Sequence, residues 1–118
     1  MARLKTISDL LREELGIATY ERETSLQAGV ASAVLMRQNP NRISFVLYNL
    51  SANVLFIRPG AAASATQGIR LGPNGGAVSL YYREDFTLVS RDWQILAAAA
   101  ASDYYLLEVF LLGGKDGA

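Results

Sequence analysis

The 118-residue chain contains no cysteine and no histidine. Without cysteine there are no disulfides, no thiolate metal sites and no cysteine nucleophile, and the redox compartment is left open. Without histidine the chain lacks the usual general base near neutral pH and the commonest metal ligand, so a Ser/His/Asp triad is excluded. A Ser/Lys pair would have to recruit Lys5 or Lys115, the only lysines, each near an end of the sequence where ordering is least assured. An excess of charge is missing as well. Eleven basic and eleven acidic residues cancel, which leaves no general basic field for nucleic acid or an anionic membrane surface. The opening stretch "MARLKTISDLLREELG" carries charges throughout and no long apolar core, so it is read as neither a signal peptide nor a membrane span. These absences point to a soluble protein that is not an enzyme and holds no metal or cofactor.

What is present is a strand-rich pattern behind one short helical one. Leu4, Ile7, Leu10, Leu11 and Leu15 recur at spacings of three and four, which predicts an amphipathic helix capped by Thr6 and ended by Gly16. This gives an arm over residues 1–18. From Thr19 onward the pattern changes. Val30 to Met36 alternates, "QNPN" forces a turn, and strand-like runs follow at Ile43–Leu50, Asn53–Arg58, Gly68–Leu71, Ala77–Tyr82, Phe86–Ser90, Trp93–Ala97 and Tyr104–Leu112. The expected fold is therefore all-β: one β-sandwich or jelly-roll-like domain of about eight strands over residues 19–112, then a polar tail, 113–118. In "GPNGG" Pro73 presets a turn, and Asn74, Gly75 or Gly76 supplies a positive φ, a hairpin signal. "GAAASATQG" reads as a surface loop. The alanine run Ala97–Ala101 is too short to nucleate a helix and reads as strand end plus turn.

Carboxylates can do acid–base work without histidine. The candidates are Glu84, Asp85, Asp92, Asp103 and Glu108, four of them in predicted turns where acidic residues normally cap or solvate the backbone. A platform of Trp93 with Tyr81, Tyr82, Tyr104 and Tyr105 suggests sugar binding, set against the commoner use of strand aromatics in a core or an interface. The strand faces are more informative. In the last strand Tyr105, Leu107, Val109 and Leu111 form one apolar face; Tyr104, Leu106, Phe110 and Leu112 form the other, broken by Glu108. "FVLYNLSANVLFIRPG" reads as a hairpin apolar on both sides. A two-layer domain hides one face of each sheet, so a second copy or another protein is expected on the other. Tyr104, Leu106, Phe110 and Leu112 are the expected subunit contact, and Leu4, Ile7, Leu10, Leu11 and Leu15 the expected docking element.

The stretches "LQAGVASAVLMRQNPNRISFVLYNLSANVLFIRPG", "SATQGIRLGPNGGAVSL" and "WQILAAAAASDYYLLEVF" resemble the small β-sandwich virion proteins of tailed bacteriophages. The likeness rests on the Asn-Pro-x-Arg turn (Asn39, Pro40, Arg42) and on the strand ending in Asn with its polar turn (Asn49, Ser51, Asn53). It continues in a G-I-x-L-x-P-G-G run (Gly68, Ile69, Leu71, Pro73, Gly75, Gly76) with Asn74 as an extra residue, and in an alanine-rich strand end before the "LLEV" strand, Leu106 to Val109. It covers roughly residues 24–112 and does not include the arm. The resemblance implies a capsid decoration or cement protein on the virion surface. Such a protein is a homo-oligomer, often a trimer, that binds across major capsid protein subunits. A head-to-tail connector, neck or tail accessory protein, or a glycan-binding module of a tail fibre, is the alternative it leaves open.

Overall fold

The computed structural model describes residues 19–112; the expected helix over 1–18 and the tail over 113–118 lie outside the described residues. Eight strands are formed: β1 (Thr19–Ala28), β2 (Ala33–Met36), β3 (Arg42–Asn49), β4 (Leu55–Pro59), β5 (Ile69–Leu71), β6 (Ala77–Tyr81), β7 (Trp93–Ala97) and β8 (Ser102–Leu111). They make two antiparallel four-stranded sheets, in the order β1-β8-β3-β6 and β2-β7-β4-β5. The all-β expectation holds at this level.

Period-two alternation sets which side chains enter the interior. Phe45, Leu47 and Asn49 of β3 are buried in register with Glu108, Leu106 and Tyr104 of β8. Leu55 and Ile57 of β4 and Trp93, Ile95 and Ala97 of β7 come from the other sheet, and both sets belong to one apolar cluster. Phe45 meets Trp93 edge to face, with ring centroids 5.5 Å apart, which links the two sheets. The β-branched and aromatic content of β3, "RISFVLYN", suits a pleated surface buried on one side.

Three expectations are corrected. Phe86–Ser90 is a 3-10 helix preceded by a short helix, Tyr82–Asp85; only Val89 of that run is buried, so there is no alternating face for a sheet to cover. The stretch around "NLSAN" is not a hairpin, because β3 pairs with β6 and β8 while β4 pairs with β5 and β7; the chain crosses from one sheet to the other there. "GPNGG" likewise carries the chain between sheets, from β5 to β6. Its turn chemistry is as expected, with positive φ at Asn74 and Gly75.

Two polar knots hold the crossings. Asn49, fully buried, donates from Nδ2 to the carbonyls of Asn53 (2.6 Å), Leu71 (3.2 Å) and Gly72 (3.0 Å), and its Oδ1 accepts from the Ser51 amide and hydroxyl. One side chain thus joins the end of β3 to the ends of β4 and β5. At Ala97–Ala101 the chain leaves β7 and turns, with Ala101 at φ 57°, and the buried Ser102 hydroxyl donates to Ala99 O at 2.8 Å while accepting from Asn53.

The connections fall at two ends of the strands. β1–β2, β3–β4, β5–β6 and β7–β8 turn near Tyr104; β2–β3, β4–β5 and the Tyr82–Asp92 segment lie near Leu111.

Candidate functional site

The carboxylates read from the sequence are not brought together. Asp103 lies at one end of β8, where it accepts from Gln27. Glu84, Asp85 and Asp92 lie at the other end, and Asp85 accepts the Tyr81 amide at 2.9 Å, closing its own short helix. Among the described residues no group of three or more Asp and Glu is placed to hold a metal ion.

Glu108 is different, being fully buried between two arginines. Arg42 Nε donates to Oε2 at 2.9 Å and Arg22 Nη2 to Oε1 at 3.1 Å. Arg42 also donates to the carbonyls of Arg37 (2.7 Å), Arg91 (3.0 Å) and Val89 (3.2 Å). Burial lowers the Arg42 pKa, and the Glu108 charge and hydrogen bond oppose that fall. Both guanidinium groups lie against the Phe110 ring, which stacks on Tyr20 with centroids 5.1 Å apart. Every oxygen of this carboxylate is engaged, so its chemistry is that of a clamp between β8, the β2–β3 turn and the 3-10 helix. The Asn-Pro-x-Arg turn serves this clamp: Asn39 Oδ1 accepts the Asn41 amide and Asn39 O accepts the Arg42 amide, which aims Arg42 inward.

The aromatic platform is not assembled. Trp93 is buried, with Nε1 donating to Leu88 O at 2.9 Å, and Tyr104 is buried at the opposite end of the strands. Tyr105 sits on the outer face of β8, and Tyr81 and Tyr82 pack on each other. The expected subunit contact is corrected for the same reason of phase. Tyr104, Leu106 and Phe110 face the chain's own interior and only Leu112 is exposed. The outward set is Tyr105, Leu107, Val109 and Leu111, all half-buried. Leu4, Ile7, Leu10, Leu11 and Leu15 lie outside the described residues.

Among the described residues, the large apolar side chains that are more than half exposed lie at the two strand ends. Phe86 is 75% exposed beside Leu88, near the Leu111 end. At the other end Val30, Leu26 and Leu50 are 63%, 60% and 57% exposed. There Leu26, Leu50 and Tyr104 line a depression rimmed by Ser25, Gln27 and Asp103. These residues were missed in the sequence, although a signal was present: Leu50 in "NLSAN" and Phe86 in "REDF" are large apolar residues in polar turns.

No protein-family model matches the chain, and no curated protein matches it. Among solved structures it is similar to a chain from Bacillus endospore appendages, described as a novel family of disulfide-linked pili. The two are 15% identical, with a TM-score of 0.49, over 82% of this chain and 89% of that one. The present chain has no cysteine.

Proposed function

We propose that the chain is a non-enzymatic structural protein that works by adhesion, associating with copies of itself and docking on a larger protein shell. The specific form we propose is a capsid decoration or cement protein of a tailed phage, made in the host cytoplasm, resident on the virion surface and assembling as a small oligomer such as a trimer. The observation that carries this reading is where the open apolar surface lies: among the described residues, the large apolar side chains more than half exposed stand at the two strand ends. The strand orders β1-β8-β3-β6 and β2-β7-β4-β5 support naming the fold a jelly-roll sandwich, an architecture common in capsid proteins. The buried carboxylate held by two arginines supports a structural role for Glu108, the most deeply buried acidic residue among the described residues.

The mechanism is additive. Apolar area buried on docking contributes about 25 cal/mol per Å2, and many copies on one shell convert a modest contact into avidity. The test is pelleting of the purified chain with assembled shells of a tailed-phage major capsid protein, alongside its solution mass by light scattering. Saturable co-pelleting of an oligomer is expected; a chain that stays in the supernatant at all concentrations overturns the decoration reading. Changing Leu10 and Leu11 to Asp is expected to abolish co-pelleting without altering the melting of the β-domain. Unchanged occupancy would overturn the docking role given to Leu4, Ile7, Leu10, Leu11 and Leu15.

A further inference from the structure

We propose that copies of this chain associate head to tail, Phe86 of one copy seating in the depression between Leu26, Leu50 and Tyr104 of the next. This rests on the reading that the chain associates with itself, and it names the surfaces.

Phe86 is held in a backbone conformation that residues with a side chain rarely adopt, φ 53° and ψ −132°. Such a residue carries backbone strain, tolerated where the surroundings fix it. The surroundings here do. Val89 plugs into the core, Trp93 binds Leu88 O, Arg42 binds Val89 O and Arg91 O, and the Asn39 amide donates to Ser90 O. A strained, firmly held segment therefore presents a bare aromatic ring to solvent, and a pre-positioned aromatic anchor loses little freedom on contact.

The receiving half is at the far end. Leu26 pairs with Tyr104 and lies on the β1 face turned toward the interior, yet it is 60% exposed: β1 overhangs the second sheet and leaves an apolar hollow under it. The seven steps from Tyr104 to Leu111 span roughly 23 Å of strand, so a chain cannot fill its own hollow with its own Phe86. A second copy satisfies both halves at once, whereas a foreign partner would satisfy one and leave the other open. The contact is heterologous, so it closes into a ring or continues as an array. One ring and its leucine neighbours fall below the roughly 800 Å2 per partner of a stable interface, so a single contact is weak and its effect grows with repetition.

The test uses two variants of the full chain. Phe86→Gly removes the knob and relieves the positive φ; Leu26→Asp with Leu50→Asp spoils the hollow. Light scattering over a concentration series is expected to show the parent rising in mass, with each variant alone shifted at least about tenfold higher in concentration. Their equimolar mixture is expected to form dimers and nothing larger, because one intact knob and one intact hollow remain. Phe86→Gly is expected to melt no lower than the parent; a lower melting temperature would make the ring a packing residue and overturn the proposal. Variants that associate like the parent, or a mixture that stays monomeric, overturn the head-to-tail contact and leave self-association standing. A parent that is monomeric throughout overturns both.

Discussion

Arg42 and Arg22 hold the same carboxylate from unequal positions. The Arg42 side chain is buried and binds three carbonyls besides Glu108, whereas the Arg22 side chain is 56% exposed. Removing Arg42 leaves buried acceptors and half of a buried carboxylate unpaired, so Arg42→Met should lower unfolding free energy by about 3–5 kcal/mol. Arg22→Met should cost less than about 1 kcal/mol, as for an exposed pair. Urea midpoints for the two variants check the contrast; equal losses would contradict it. Burial also pushes the Tyr104 phenol up, and Tyr105 is pushed up by desolvation and by the neighbouring Glu23 and Glu21. A raised folded pKa means the unfolded chain gives up the proton first, so this stability is intact below about pH 10 and is lost as pH rises beyond it. Tyr104→Phe should flatten the fall in urea midpoint between pH 8 and pH 11. Glu108 stood out in the sequence as a break in an apolar face, but its partners were not legible: Arg22 and Arg42 lie 86 and 66 residues away in the chain.

At the scale of elements, alternation and turn chemistry were readable and phase was not. β8 has two apolar faces, and nothing in "DYYLLEVFLL" says which one the second sheet covers; the pairing with β3 decides it. Phe86–Ser90 shows the opposite failure, since "FTLVS" has strand-like composition but pairs with no strand and coils instead, with Val89 in the core and its carbonyl bound by Arg42. The connection before β6 depends on a glycine at position 76: a Cβ there would run into the Gly72 backbone. Gly76→Ala should therefore destabilise by on the order of 2 kcal/mol, read from thermal melts, and a neutral result would show that the turn can open without cost.

For the molecule as a whole, the interleaving of strands matters more than their number. Five of the six strand pairings join strands that are not consecutive in the chain; β4 with β5 is the exception. Each distant pairing needs a long loop closed before any contact rewards it. Refolding should be slow for the size, in milliseconds to seconds rather than microseconds, and stopped-flow Trp93 fluorescence would measure it. Local patterns marked seven of the strands, and the total of eight agrees only because β1, Thr19–Ala28, which no expected run covered, stands in for the expected strand at Phe86–Ser90; which strands are neighbours is decided only by the completed interior.

The pairing of β1 with β8 has a mechanical consequence. Thr19 and Leu111 are register partners at one end of the ladder, so tension applied through them opens the hydrogen bonds one after another, like a zipper. A load passed along the strand axis, between the Phe86 end and the Leu26 end, shears whole rows at once. The molecule is therefore weak when pulled by its flanking segments and strong when strained between its two turn-bearing ends.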